Sequence, residues 1–394
     1  MLALLFACRS GLGFQFQALG SVSAPLVSQY GFSHTEIGTL IGFFMLPGLF
    51  ISLPAGFAGR YLPDHKLAAL GLLGLAAGGV ISTVAQGFGW FAFARAVAGV
   101  GFVLSTLYMT KMIADWFSGK ELATAMSILV MSWPFGIALG QIVHTWVAAT
   151  IDWRIAFLTT AVYCAAAALA LFMFYRVPVR EGQVPSAIAM TLPRPELILT
   201  LLAASVWGLF NAGYIAYLSF APRVLQAGGY GATQAAAVIS IASWVMILSA
   251  AVCGQIADRT GKRDLIVYVC LSGAIVALLL LPFTDYAVAV SLLFGLIGAA
   301  PAGVIMALTA EAMAPQRRAF GMGVFFSFYF VIMTIAPPIA GWMFDRSGNP
   351  YGSILFGAAL MAAAMLAHVG FRRVQRFQTK TCPDHRVATV SRRD

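Results

Sequence analysis

The chain alternates about twelve times between apolar runs of about twenty or more residues and short polar segments. A helix that crosses the ~30 Å hydrocarbon core of a bilayer needs about 20 apolar residues. Of the 394 residues, 60% are hydrophobic and 10% are charged, whereas about a quarter of an average soluble domain is charged. The sequence therefore predicts an all-α membrane protein with twelve transmembrane helices. The predicted spans are residues 4–28, 36–58, 66–86, 89–113, 121–147, 153–176, 196–222, 232–257, 265–283, 286–311, 320–344 and 350–371.

The distribution of Lys and Arg predicts how the chain is oriented in the membrane. Of the 24 basic residues, eleven lie in alternate joints, seven in the tail after Phe371, and three in the opposite joints, namely Arg154, Arg223 and Arg346. Because basic loops stay on the cytoplasmic side, we expect both termini to be cytoplasmic, in a bacterial inner membrane. The net charge of +10 then reflects orientation in the membrane, and we expect no nucleic-acid partner.

A segment with four prolines, residues 177–195, divides the twelve spans into six and six. Proline removes a backbone donor and blocks helix continuation, so this segment is predicted to be a cytoplasmic linker. It separates an N-terminal six-helix bundle at 1–176 from a C-terminal six-helix bundle at 196–371. The tail at 372–394 is short and polar and is predicted to be disordered.

The two halves also resemble each other in sequence. A shift of 196 residues takes Gly99 to Gly295 and Asp115 to Glu311. Two parallel six-helix repeats related by an axis along the membrane normal form a transporter architecture. Chance identity between two segments rich in Gly and Ala is the alternative explanation.

Three motifs resemble those of the major facilitator superfamily. Residues 254–263 read Gly-Gln-Ile-Ala-Asp-Arg-Thr-Gly-Lys-Arg, which is similar to the cytoplasmic loop G-x-x-x-D-R-x-G-R/K-R/K of that family. Residues 95–101 resemble its R-x-x-x-G-x-G element, and residues 153–157 resemble its W-R-x-x-F element. The resemblance covers essentially the whole chain, and it implies a fold of two pseudo-symmetric six-helix bundles.

The resemblance further implies a cytoplasmic charge network that gates the conformational change. Its candidate members are Asp258, Arg259, Glu311, Arg317 and Arg60. In the loop of the first half, Gly59 stands where the family carries Asp, so an ionic contact there is in doubt. Solvated surface charges, worth less than ~1 kcal/mol per pair, are the alternative.

Two arginines inside the spans indicate what kind of solute is bound. Arg95 lies in the fourth predicted span and Arg9 in the first, while no Asp or Glu lies near a span midpoint. An ionisable side chain in a membrane usually faces a cavity or a partner, and Arg holds a carboxylate through two hydrogen bonds. This charge balance favours an anion. Alternatively, Arg95 bridges helices through backbone carbonyls and Arg9 extends to the cytoplasmic interface.

In the family that the chain resembles, spans 1, 4, 7 and 10 line the central cavity. This placement adds five candidates for solute binding: Gln15, Gln17, Trp207, Asn211 and Tyr214. The last three lie on one face of a helix, and side-chain packing is the alternative for Trp207. His144 in the fifth span is a candidate for proton coupling because histidine titrates near neutral pH. A structural, hydrogen-bonded histidine is the alternative.

The sequence thus predicts a secondary active transporter that moves a small anionic organic or inorganic solute by alternating access. A proton-coupled multidrug or metabolite exporter is the rival, although residues 133–140 match the exporter element Gly-Pro-x-x-Gly-Gly only in part.

An enzyme would need a catalytic cluster inside the spans, and a sensor would need an appended signalling domain. The sequence shows neither. Without a nucleotide-binding loop or paired cysteine spacing, we predict no cofactor or metal. The expected partners are the solute, a proton or counter-solute and the lipid bilayer, and we expect a monomer.

Overall fold

The computed structural model describes residues 1–59, 61–117, 120–177, 191–314 and 317–381. Within these residues, twelve helices are long and apolar enough to cross a membrane, which confirms the predicted all-α fold class. They are α1 Leu2–Ser21, α2 His34–Ala58, α3 Asp64–Val84, α4 Phe88–Trp116, α5 Lys120–Thr150, α6 Trp153–Phe174, α7 Arg194–Ala227, α8 Ala232–Thr260, α9 Arg263–Leu280, α10 Ala287–Ala312, α11 Arg318–Ser347 and α12 Tyr351–Thr381.

The tenth span departs from regular helical geometry. Its α-helical part, Ala287–Leu293, is followed by one π-helical turn at Phe294–Gly298 and then by the short helix Ala302–Met306. Pro301 stands at the break, and because proline lacks a backbone N–H it cannot continue the hydrogen-bonding ladder. Inserted π turns are common at functional positions of helices.

Most helices of α1–α6 pack mainly on one another, as do most of α7–α12, and we call these sets the N-terminal and C-terminal halves; α2 and α11 are the exceptions, since they pack most extensively on each other. In the first half, α1 packs on α5 and α6, and α3 packs on α4 and α6. The principal contacts between the halves are those of α2 with α11 and of α5 with α8. Exchanging each helix for its counterpart six positions away, α2 for α8 and α11 for α5, converts one of these pairs into the other, as expected for two parallel repeats.

The ends of the odd-numbered helices and the beginnings of the even-numbered ones share one side of the molecule. The distribution of basic residues predicts that this side faces away from the cytoplasm. We call it the outer side, and the opposite side the inner side.

The predicted disordered tail begins too early, because α12 continues to Thr381, ten residues beyond the predicted boundary at 371. The reason is that Arg372 in this extension binds Asp264 and Glu311, so contacts to other helices hold the polar turns in place. Residues 382–394 of the tail and 178–190 of the predicted linker lie outside the described residues.

Candidate functional site

Arg95 of α4 is a buried side chain in the interior of the N-terminal half, and each of its three guanidinium nitrogens donates a hydrogen bond. It is 1% exposed, and its guanidinium donates from Nε to the carbonyl of Leu40 at 3.2 Å and from Nη2 to that of Phe16 at 3.3 Å. Its Nη1 donates to the side-chain oxygen of Gln15 at 3.1 Å. The Phe44 ring lies 4.5 Å from the guanidinium carbon, a distance at which a cation is attracted to the ring. Arg95 thus joins α4 to α1 and α2 through carbonyl groups. This is the helix-bridging role that the sequence left open as the alternative to solute binding.

Arg9 of α1 is bonded less completely. Its Nη1 donates to the carbonyl of Leu129 at 2.7 Å and to the hydroxyl of Ser132 at 3.2 Å, both in α5. Its buried Nε has no hydrogen-bond partner among the described residues. Arg9 lies seven residues from the first residue of α1, or about 10 Å along the helix axis, so the guanidinium bonds α5 and does not extend to the inner interface.

His144, Gln141 and Gln17 place polar atoms between α1 and α5 towards the outer side. His144 is fully buried, and its ring centroid lies 4.2 Å from that of Phe14. Within the described part of the chain, neither ring nitrogen of His144 nor the side-chain oxygen of Gln141 has a hydrogen-bond partner. Gln17 donates from Nε2 to the hydroxyl of Ser21 at 3.4 Å. The structure therefore does not show the hydrogen-bonded, structural role considered for His144.

The three candidates on α7 differ in their surroundings. Tyr214 is buried, and its hydroxyl forms a 2.6 Å hydrogen bond with that of Ser243 in α8. Asn211 donates from Nδ2 to the carbonyl of Trp207 at 2.8 Å, within its own helix. Trp207 and Asn211 are half-buried. Of the three, Trp207 and Asn211 therefore keep surface that a solute can contact, whereas Tyr214 ties α7 to α8.

Three of the predicted gate residues, Asp258, Arg317 and Glu311, have charged partners among the described residues. Asp258 accepts a hydrogen bond from Arg263 at 2.9 Å, and Arg317 donates to Glu196 at 2.6 Å. Arg259 is exposed at the inner end of α8. Arg60 lies outside the described residues.

Glu311, the remaining gate candidate, belongs to an inner network that joins α9, α10 and α12. Arg372 donates to Glu311 and, from Nε at 2.6 Å, to Asp264. His368 lies 3.1 Å from the same Asp264 oxygen, and Arg263 lies 3.8 Å from Glu311. Sequence reasoning missed Arg372 and His368, although their spacing of four residues places them on one helix face.

On the outer side, Asp345 at the end of α11 caps the beginning of α2. One carboxylate oxygen accepts from the backbone N–H of His34 at 3.0 Å and contacts its Nδ1 at 2.9 Å. The other accepts from the backbone N–H and the hydroxyl of Thr35 at 2.8 and 2.6 Å. A carboxylate at a helix N-terminus satisfies free N–H groups and interacts favourably with the helix dipole. We call this contact between the two halves the outer latch.

Residues at the beginning of α2 also form hydrogen bonds with one another that fix the start of the helix. The Ser33 hydroxyl accepts from the Glu36 N–H at 3.1 Å, and the Glu36 carboxylate accepts from the Ser33 N–H at 2.8 Å. This is a capping box. Behind it, a Cβ on Gly38 would lie 2.1 Å from the Pro337 carbonyl oxygen. Only glycine lets the backbones of α2 and α11 approach this closely.

Comparison with known proteins identifies the family. The sequence profile of the Major Facilitator Superfamily matches residues 5–302. A probable 4-methylmuconolactone transporter from Cupriavidus pinatubonensis is 23% identical over 326 residues, which cover 77% of this chain and 74% of that protein. A hexuronate transporter from Bacillus subtilis is 22% identical over 382 residues, which cover 90% of each chain.

A solved structure shares the fold. It is the crystal structure of a bacterial homolog of the human lysosomal transporter Spinster, in an inward-facing and occupied conformation. It matches with a TM-score of 0.73 and 17% sequence identity, and the match covers 99% of this chain and 98% of that one. Because the family profile spans more than half of the sequence, this chain, with its twelve membrane-spanning helices, belongs to the Major Facilitator Superfamily.

Proposed function

We propose that this protein is a secondary transporter that carries small organic anions across the bacterial cytoplasmic membrane, with both termini in the cytoplasm. The observation that carries the proposal is the placement of charge. In the described residues, every Asp and Glu lies in a loop or within about one turn of a helix end, whereas Arg9 and Arg95 lie between helices. Fixed positive charge without a neighbouring carboxylate attracts a negative solute.

Two features of the bundle support alternating access as the mechanism. The halves at 1–176 and 196–371 meet mainly through the α2–α11 and α5–α8 contacts, about which they can rock against each other. The outer latch closes one end of that interface by side-chain and backbone hydrogen bonds, which break without disturbing either half. A gradient of protons or of a counter-solute would drive the cycle.

The relatives support a carboxylate as the solute. One is named a hexuronate transporter and aligns over 90% of both chains. Hexuronates are sugar carboxylates, whose planar anionic group matches the fork of an arginine side chain. Arg9 is the residue that we expect to bind the carboxylate, because its Nε has no partner among the described residues.

Uptake into proteoliposomes tests this function. We expect wild-type protein to accumulate radiolabelled D-glucuronate or D-galacturonate, and Arg9→Gln to lower uptake about 10- to 100-fold, since a hydrogen bond to a charged group is worth about 1.5–3 kcal/mol. Arg373→Gln is the matched control because this arginine is exposed at the inner side, and its uptake should equal wild type. Transport of amines or hydrophobic cations in place of carboxylates would refute the proposal.

A further inference from the structure

A cavity with a few polar side chains in its walls lies between the two halves on the outer side. It has a volume of about 110 Å³, and its walls come from the outer ends of α1, α5, α7 and α8 and from the short helix Ser23–Tyr30 that follows α1. One water molecule occupies about 30 Å³ of liquid, so the cavity has room for a carboxylate and the carbon that carries it. Because both halves contribute walls, the cavity has this shape only while their outer ends are close together.

Arg223 of α7 supplies the charge in this cavity. It lines the cavity, and its Nη2 is buried without a hydrogen-bond partner among the described residues. No ion pair is found for it with a carboxylate of the described chain. Arg223 is half-buried, and a buried donor without a partner is costly, so an anion that accepts a hydrogen bond from Nη2 would be stabilised there.

Gln141 of α5 completes the polar wall from the opposite half. Its side chain is 1% exposed and lines the cavity, and its oxygen has no hydrogen-bond partner among the described residues. Rotation of the side-chain amide by about 180° exchanges its oxygen and nitrogen. In that orientation Gln141 donates N–H groups where its oxygen now lies. One half thus offers a guanidinium and the other an amide, two donor groups that suit a carboxylate.

The sequence makes Arg223 unusual. The outer joints hold three of the 24 basic residues, since positive charge is disfavoured on that side. Arg154 donates to Tyr30 and Arg346 is exposed, but Arg223 is directed into the interface between the halves and interacts electrostatically with His34 of the outer latch.

The geometry points to a second anion-binding site at the outer side, where Arg223 and Gln141 bind a carboxylate from opposite halves. Its assignment to the transported solute rests on the proposed function. An anion there neutralises the guanidinium as the outer ends close, so it stabilises the closed arrangement of α1, α5, α7 and α8. A solute that enters from the outer side would therefore bind this site first, and its binding would favour closure of the outer ends of the helices.

Protection of a cysteine in the cavity tests the site. Ser23 lines the cavity and is 8% exposed. In full-length protein with Cys382→Ser and Ser23→Cys, we measure labelling by a membrane-impermeant thiol reagent at increasing concentrations of sodium D-glucuronate. We expect glucuronate to slow labelling, and Arg223→Gln to raise the half-protecting concentration at least tenfold.

Matched variants separate the site from general effects. Arg346→Gln removes an exposed cation on the same side, and we expect it to leave protection unchanged. Ala148→Leu fills the cavity without changing any charge, and it should weaken protection as Arg223→Gln does. Unchanged protection in Arg223→Gln, or no protection of the parent protein, would overturn the proposal, and equal protection by sodium chloride would overturn its carboxylate specificity.

Uptake measured with the same proteins distinguishes the two proposals. Transport of carboxylates with protection that does not depend on Arg223 would refute the outer site and leave the proposed function standing. Protection that depends on Arg223, without carboxylate transport, would refute the proposed function and retain an outer anion site.

Discussion

Replacing Asp345 by alanine tests whether the outer latch keeps the outer ends of α2 and α11 together. The Asp345 carboxylate accepts hydrogen bonds from the backbone N–H groups of His34 and Thr35 and from the Thr35 hydroxyl, and it contacts the His34 ring. These contacts join residues more than 300 positions apart in sequence. Their loss removes hydrogen bonds between the two halves without changing a hydrogen bond inside either half.

The magnitude of the effect follows from the geometry. Hydrogen bonds to a charged group contribute about 1.5–3 kcal/mol each when buried. The Asp345 side chain is 29% exposed. Water therefore replaces some of the lost hydrogen bonds and weakens the electrostatic part of the others. A total of about 3 kcal/mol for the four contacts is therefore reasonable, and it corresponds to a shift of about 100-fold in the ratio of outer-open to outer-closed protein.

The rate of thiol labelling at position 23 measures this ratio. Ser23 is buried in the outer cavity, so a Ser23→Cys protein is labelled only when the outer ends separate. We expect Asp345→Ala to accelerate labelling by about 10- to 100-fold. Asp152→Ala is the control, because Asp152 also caps a helix on the outer side, α6, but bonds Arg154 within its own half. Equal labelling rates in the two variants would refute the role of the latch.

Two further predictions concern the contacts that hold the helices together. Arg372→Gln removes the cation that bonds both carboxylates of the inner network, and we expect it to lower the thermal unfolding midpoint by several degrees, whereas Arg373→Gln, next to it and exposed, should leave the midpoint unchanged. Gly38→Leu places carbon atoms where the Pro337 carbonyl lies, so it should separate α2 from α11 and increase labelling at position 23. Unchanged labelling would show that the backbone contact does not close the outer side.

The number and type of helices could be predicted from sequence because the bilayer imposes a length on each apolar run. The capping box at Ser33 and Glu36 was equally predictable, since both partners belong to one helix turn. Such features depend on residues that are neighbours along the chain. They need no knowledge of how helices pack.

The pairing of charged residues could not be predicted in the same way. Asp258 was expected to join a network with Glu311 and Arg317. It bonds Arg263, which also lies 3.8 Å from Glu311, whereas Arg317 bonds Glu196. All of these residues lie near the inner ends of helices, where several cations are within reach of each carboxylate. Which pair forms depends on the rotation and tilt of each helix, and these are fixed by packing between helices.

The arginines illustrate how structure changes the ranking of candidates made from sequence. Arg95 and Arg9 looked alike because each is a cation inside an apolar run, yet the Arg95 guanidinium already donates from all three of its nitrogens. A carboxylate held by Arg95 through two hydrogen bonds would compete with the groups of α1 and α2 that now accept from it. Arg9 and Arg223 each retain a buried N–H without a partner among the described residues, so an anion gains a hydrogen bond there without breaking one. We therefore propose Arg9 and Arg223 as the arginines that bind the solute, and Arg95 as the one that holds helices of the N-terminal half together.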